Sequence, residues 1–396
     1  MSSRIKQVEI IELGEKRKEE SSPWSSTVLL VKLVSSDGQV GFGEAPTTLM
    51  TLPVKESMQE VARIFTGRDY FNIEKNISDF YRNSFYLARS MEATSALSAF
   101  EIASWDLIGK DLGAPIYKLI GGEFNSRIRA YANGWYSNCS TPDEFVEKAK
   151  AVIKKGFTAL KFDPFGNNYD HISRQDAIKA SRIVEALRLE LGDDVDLLIE
   201  FHGRFSTRDA ITAAMELEPF DPLFFEEPVH PELEHTLPEI KRFISTPIAL
   251  GERLLNKRDF YRVISQGAVD IIQPDLTNSL GILEAKKISS IADANGISVA
   301  FHNAFGPIQT AATLNVDCTL TNFLIQESFE EFWPGWKKDL VKSGYSLEDG
   351  YFKLSGRPGL GIDINEKILE DNSIEGMEPF DGKEPPWVVS GTYKDL

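Results

Sequence analysis

Four short apolar runs between Val195 and Asp275 each lead into an acidic residue. Leu197-Leu198-Ile199 leads into Glu200, Leu223-Phe224-Phe225 into Glu226, Ile248-Ala249-Leu250-Gly251 into Glu252, and Ile271-Ile272-Gln273-Pro274 into Asp275. The first three acids stand 26 residues apart and the fourth follows after 23. A strand, a helix and their two loops use about that many residues in a β/α barrel, where eight units make ~250 residues. The spacing therefore predicts carboxylates at the C-terminal ends of successive parallel strands. Glu200, Glu226 and Glu252 would surround one point at the barrel mouth. Carboxylates that close repel one another unless a cation lies between them. Hard oxygen donors with room for water and substrate suit Mg2+, with Mn2+ as an alternative.

With 396 residues the chain exceeds a single barrel, which leaves room for a smaller second domain. A net charge of -17 argues against nucleic acid or an anionic membrane as the main partner. A small anionic substrate would need a local cation, which the metal supplies. Cys139 and Cys318 are the only cysteines. They are too few for a disulfide framework or a thiolate metal site, which points to a reducing compartment. The first residues lack the apolar core of a signal peptide, and no apolar run reaches the ~18 residues of a membrane span. The expectation is a soluble, cytoplasmic protein.

Taken in order, residues 4–44 read as strands. Ile5 to Ile11 alternates, Thr27 to Val34 is β-rich, and Ser36-Asp37-Gly38 marks a hairpin turn before Val40 to Glu44. The polar loop between the first two strands carries Trp24, which either covers a site or packs on its own domain. Residues 53–120 change to a helical period, with Leu112-Gly113-Ala114-Pro115 closing the longest helix. From Arg127 strands and helices alternate. The eight strands end at Asn133, Asp163, Glu200, Glu226, Glu252, Asp275, His302 and Glu327 or close by. The fold class is α/β: a modified (β/α)8 barrel, as in TIM barrels, with an α+β N-terminal capping domain. The expected boundaries are 1–126 for the cap, 127–355 for the barrel, and 356–396 for a tail that returns to complete the cap. Trp387-Val-Val-Ser is the strand-like hint for that return.

Side chains two apart on a strand share a face, so Glu200 and His202 both point to the mouth, as do Lys161 and Asp163. Asp275 and His302 end neighbouring strands and form an Asp–His dyad, in which the carboxylate fixes one imidazole nitrogen and leaves the other as a base. Glu327 ends the eighth strand. Asp163 could instead cap the turn Pro164-Phe165-Gly166. Of the adjacent pair Glu226 and Glu227 only one can face inward; alternation favours Glu226, with Glu227 as its structural partner.

Lys161-Phe-Asp163, Glu200-Phe-His202-Gly-Arg204, Phe225-Glu226-Glu227-Pro228, Gly251-Glu252-Arg253-Leu254, Gln273-Pro274-Asp275 and Phe301-His302-Asn303 together resemble the enolase superfamily, in its mandelate racemase subgroup. The resemblance covers nearly the whole chain, including Ala103-Ser-Trp105-Asp106 and Leu119-Ile-Gly-Gly122 at the junction into the barrel. Tyr131 to Tyr136, Ala159 to Gly166 and Val299 to Gly306 look most like the archaeal-type gluconate dehydratases.

That resemblance implies Mg2+ on Glu200, Glu226 and Glu252, and a base formed by His302 with Asp275. Racemases of the subgroup carry Lys-x-Lys on the second strand. Asp163 stands where the second lysine would be, so a base for the opposite face of the substrate is missing. His202 follows Glu200 by two, as in galactonate dehydratases, where such a histidine helps a hydroxyl leave. The implied reaction converts an aldonate, D-gluconate or D-galactonate, to a 2-keto-3-deoxy acid and water. His302 would remove the C2 proton, Lys161 and Glu327 would act with the metal to stabilise the enediolate, and His202 would protonate the 3-hydroxyl. Asp163, Asn133, Trp135, Tyr136 and Asn303 are expected to bind distal hydroxyls. Trp24 and the Ala45–Leu52 loop are expected to close the site. Members of the family are commonly multimeric, so a homo-oligomer is expected. A pentonate substrate such as xylonate or arabinonate, epimerisation, and a relative without activity are the alternatives.

Overall fold

The computed structural model describes residues 3–14, 27–47, 51–86 and 89–376. Trp24 and the Trp387-Val-Val-Ser run lie outside the described residues, as does part of the Ala45–Leu52 loop.

The capping domain opens with an antiparallel sheet in the order β1 (Ile5–Gly14), β2 (Thr27–Ser35) and β3 (Val40–Ala45). Helices α1 (Thr51–Phe65), α2 (Ile73–Asn83) and α3 (Met91–Asp111) follow. Ser90 starts α3 by accepting from Ala93 N at 3.2 Å. This helix lies against β3 so closely that a Cβ at Gly43 would collide with the Ala99 carbonyl. Its other side meets the barrel, which is why most of α3 is buried.

One turn, α4 (Ile116–Leu119), leads to the barrel. Its units are β4 (Ile128–Ala132), α5 (Pro142–Ile153), β5 (Ala159–Phe162), α6 (Arg174–Leu191), β6 (Asp196–Glu200), α7 (Thr207–Leu217), β7 (Phe224–Glu226) and α8 (Leu237–Ile240). They continue as β8 (Ile248–Leu250), α9 (Lys257–Ser265), β9 (Ile271–Ile272), α10 (Gly281–Asp293), β10 (Ser298–Val299), α11 (Pro307–Asp317) and β11 (Gln326–Ser328). Each barrel strand pairs in parallel with the next from β4 to β10. The Val299–Phe323 bridge and the β11–β4 pairing close the ring. After β11 the chain makes a 3-10 turn (Glu330–Phe332), the single turn α12 (Gly335–Lys338) and a short strand (Val341–Ser343) before a hairpin, Tyr345–Glu348 with Tyr351–Leu354, that pairs with the start of β4. This is the modification of the regular (β/α)8 plan. The paired strands are shorter than their apolar runs, because staggered, tilted strands share a ladder over only part of their length.

Tyr131, Ala159, Leu198, Phe224, Ala249, Ile271, Ala300 and Ile325, drawn from the eight strands in turn, form one buried cluster inside the ring. Large residues facing small ones fill the interior, so the barrel is plugged below its mouth. The tail passes Pro115 by a parallel bridge at Gly359 and then pairs with β1 through Leu13 and Ser373. Gly14 N donates to Asn372 O at 2.9 Å and Ile374 N to Glu12 O at 3.0 Å. No described helix is long and apolar enough to cross a membrane. Cys139 and Cys318 are both buried and unpaired.

Candidate active site

Lys161, Glu200, Glu226, Gln273, His302 and Glu327 each stand two residues past a member of the barrel plug. Period-two alternation therefore turns them inward and makes them the floor of the mouth. Lys161 sits at its centre. Its Nζ lies 2.6 Å from Glu226 Oε1, 2.8 Å from Glu327 Oε1 and 3.3 Å from Glu200 Oε2. Burial disfavours the ammonium, but Glu226 and Glu327 outweigh it and raise Lys161 well above the usual lysine range. Glu327, also buried, is pulled down to about 2 by Lys161 and His302.

His302 and Asp275 meet across a parallel bridge, with Nδ1 2.6 Å from Oδ2. Thr277 N and Oγ1 donate to Asp275 Oδ1 at 2.7 and 2.6 Å, and Gln309 Nε2 donates to Oδ2 at 3.0 Å. Surrounded by donors, Asp275 acts as the acceptor, so His302 carries its proton on Nδ1 and aims Nε2 at the mouth. Glu252 Oε2 lies 3.3 Å from that Nε2. Burial lowers His302, but Glu252 and Glu327 outweigh it and push the imidazole up to about 10.

His202 reaches the mouth by a different route from the one alternation predicts. β6 ends at Glu200, and His202 adopts a left-handed backbone conformation with φ 53°. Its N–H donates to Glu200 Oε1 at 2.6 Å, which holds the turn. Its Nδ1 stands 2.7 Å from Asp163 Oδ2. Arg204 Nη2 donates to both Asp163 oxygens, at 2.6 and 2.8 Å, and Phe165 N donates to Oδ1 at 2.8 Å. Burial raises Asp163, but Arg204 and His202 win, and the carboxyl lies below its usual range.

These contacts match the alternative reading of Asp163, a cap on the turn after the second strand, and occupy the oxygens expected to bind distal hydroxyls. Its oxygens cap the Pro164 turn and hold His202 and Arg204, so a second Asp–His dyad faces the mouth. Trp135 is also turned away from that role. It is 2 % exposed, donates Nε1–H to the Lys161 carbonyl at 2.9 Å, and packs edge-on against Phe145 and Phe162. Asn133 donates to Glu327 Oε1 at 2.9 Å, and Asn303 N donates to Glu327 Oε2 at 2.7 Å. The Asn303 amide is engaged by Thr310 and the Glu327 carbonyl. Both asparagines therefore fix Glu327. Tyr136 is buried against Trp135 and Phe145, and burial, then the charges of Asp163 and Glu200, raise its hydroxyl.

Gln273 is part of this floor without having been assigned a role from the sequence. It donates Nε2–H to Glu226 Oε2 at 2.7 Å, and its Oε1 is buried without a protein partner. Alternation two residues before Asp275 was the signal for it. Glu227 faces away from Lys161, accepting from Gly251 N at 3.0 Å and Arg253 Nη2 at 2.8 Å.

Among the described residues no three His, Cys, Asp or Glu side chains converge on one point as metal ligands. Glu200 and Glu226 lean on Lys161, and Glu252 on Arg253 and His302. The donor chemistry nevertheless fits a hard dication. Burial first, and then the charge of Glu200, raises Glu226 well above the carboxylate range, and burial likewise raises Glu200. Buried carboxylates that repel this strongly are stabilised by added positive charge. Burial raises Glu252, but His302, whose Nε2 is 3.3 Å away, and then Arg253 outweigh it and hold the carboxyl below its usual range.

The match to known families is extensive. Residues 144–368 match the model described as Enolase C-terminal domain-like, and residues 21–121 match the mandelate racemase / muconate lactonizing enzyme N-terminal domain. The D-gluconate/D-galactonate dehydratase of Picrophilus torridus is 67 % identical over 98 % of this chain and 99 % of its own. The D-gluconate dehydratase of Thermoproteus tenax is 41 % identical over 98 % of this chain and 78 % of its own. The crystal structure of a mandelate racemase/muconate lactonizing enzyme from Sulfitobacter sp. superposes with a TM-score of 0.86 at 30 % identity, over 94 % of this chain and 96 % of that one. With both domains matched and the fold shared, the chain belongs to the mandelate racemase / muconate lactonizing enzyme family of the enolase superfamily.

Proposed function

We propose that the protein is an aldonate dehydratase, a hydro-lyase that converts D-gluconate or D-galactonate to the 2-keto-3-deoxy acid and water. The observation that carries this reading is the pair of Asp–His dyads, His302 with Asp275 and His202 with Asp163, on either side of the carboxylates that would hold Mg2+. The D-gluconate/D-galactonate dehydratase of Picrophilus torridus supports the substrate class.

Glu200, Glu226 and Glu252 would hold the ion. Bound there, it would supply Lewis-acid stabilisation of negative charge on the substrate's carboxylate oxygens. A cation on Glu252 would offset the charge that most raises His302, so that Nε2 of His302, in its neutral form, takes the C2 proton. Lys161, held as an ammonium, lines the place where carboxylate charge grows, and Glu327, fixed by Asn133 and Asn303, holds it there. Asp163 accepts from Nδ1 of His202, so the other nitrogen of that ring, Nε2, is the one that can give a proton to the departing 3-hydroxyl. The C3–O bond breaks to release water. The enol then loses its C2 hydroxyl proton while C3 gains one, and the keto acid results.

Burial of the unpaired Cys139 and Cys318 suits a reducing, cytoplasmic compartment. The homo-oligomer follows from the habit of the family.

The test is an assay for 2-keto-3-deoxy acid over a panel of C5 and C6 aldonates with Mg2+, on wild type and His202→Ala. Turnover of gluconate or galactonate that collapses in the variant supports the reading. Turnover confined to pentonates moves the substrate and keeps the chemistry. The second dyad also suits C2 epimerisation, which would show as solvent deuterium at C2 without loss of water.

A further inference from the structure

Helices α10 and α11 follow the strands that lead into Asp275 and His302. Neither has a capping side chain at its own N-terminus, where Leu280 and Gly306 stand. Buried first-turn N–H groups need acceptors from elsewhere. Both helices find them on the capping domain. Glu101 of α3 accepts from Ile282 N at 2.8 Å and from Leu283 N at 2.9 Å. Glu44 of β3 accepts through Oε2 from Ile308 N at 3.1 Å and Gln309 N at 2.9 Å. Each glutamate is 1 % exposed. Burial pushes Glu44 up to about 7 and Glu101 up to about 8, while the N–H donors pull the other way. A helix N-terminus is one of the few buried places that favours a carboxylate. Gly306 makes room for the approach, since a Cβ there would collide with the Glu44 carboxylate.

From Glu44 the contacts continue to the proton-abstracting pair. The Gln309 side chain accepts from Phe305 N at 2.9 Å and donates to Asp275 Oδ2 at 3.0 Å. That oxygen also binds His302 Nδ1 at 2.6 Å.

We propose that the capping domain positions the catalytic base from behind: Glu44, by capping α11, holds Gln309 against Asp275 and so sets the orientation of His302. Glu44 and Gln309 are then positioning residues, and docking of the cap is part of the catalytic geometry. The inference rests on the reading of His302 as the base.

The test uses the full-length protein with Mg2+, comparing wild type with Gln309→Met, which cannot donate to Asp275, and Glu44→Asp, which keeps the charge and shortens the reach. Either change is expected to lower kcat on the aldonate about 10–100-fold, the usual range for residues behind a catalytic group. KM and Mg2+ affinity are expected to hold. In 15N-histidine spectra the Nδ1 proton of His302 should lose its strongly hydrogen-bonded position. Glu44→Gln, which keeps an acceptor oxygen, should recover most of the loss. Unchanged kcat and an unchanged His302 signal in both variants would overturn the proposal. Equal losses of kcat and Mg2+ affinity would also overturn it, because they mark general loosening. If wild type dehydrates no aldonate, the functional reading fails, and the His302 signal still decides the positioning.

Discussion

Asp163 Oδ2 stands 2.7 Å from His202 Nδ1, and Arg204 grips the same carboxylate at 2.6 and 2.8 Å. The mouth therefore contains a second Asp–His dyad, locked from behind by a guanidinium that is 0 % exposed. A fixed acid is what a leaving hydroxyl requires, since proton donation depends on geometry before acidity.

Asp163→Asn should separate the two halves of the reaction. The amide has the same shape but offers His202 a weaker and ambiguous partner, so orientation of the acid suffers. Dehydration is expected to fall at least about 10-fold, within the range for partners of catalytic groups. Deuterium exchange at C2, which depends on His302, should persist. Parallel loss of exchange and dehydration would place Asp163 on the base side instead.

Arg204→Met should be destabilising, because it leaves the Asp163 carboxylate buried and unpaired by guanidinium. Breaking a buried ion pair from one side typically costs ~3–5 kcal/mol. Chemical denaturation would measure it, and the double variant Arg204→Met/Asp163→Leu should regain part of the loss. An unchanged midpoint in the single variant would contradict the pairing.

Glu226→Gln should uncouple metal from stability. Burial and the neighbouring Glu200 already raise the Glu226 carboxyl, so its charge is held at a cost. The metal-free variant is expected to melt no lower than metal-free wild type. Added Mg2+ should raise the melting temperature of wild type, as any ligand specific for the folded state does, and should do so much less in the variant. Chelation with EDTA should reverse the rise. Equal shifts in both proteins would remove Glu226 from the ligand set.

Trp135→Phe should report on packing and leave recognition alone. An aromatic ring is kept, but the donor to the Lys161 carbonyl and part of the buried indole are lost. The hydrogen bond is worth about 0.5–1.5 kcal/mol and the cavity adds to it, so the melting temperature should fall. KM for the aldonate should be unchanged. A raised KM with unchanged stability would return Trp135 to the substrate.

Much of the barrel was legible in the sequence because its signals are local and repeated. Apolar runs ending in acids at intervals of 26 residues can arise from few folds. Period-two alternation then places Lys161, Glu200, Glu226 and Glu327 inward before any coordinate is known, and would have placed Gln273 with them. His202 came to the mouth for a reason alternation does not contain: the chain leaves β6 at Glu200 and turns through a left-handed residue held by that same carboxylate.

The residues whose partners the sequence leaves open share one cause. Trp135 in a loop after a strand reads the same whether it covers a substrate or packs beneath the loop, and only Phe145 and Phe162 decide between them. Asp163 reads either as a group for substrate or as a turn cap until Arg204, 41 residues away, is seen to claim it. Glu44 and Gln309, 265 residues apart, carry no joint signal at all. The sequence by itself determined the strand order, the inward faces and the family, since these follow from period, spacing and motif. Tertiary structure alone decided which inward polar groups remain open to substrate, because that depends on which partner across the fold reaches each oxygen and nitrogen first.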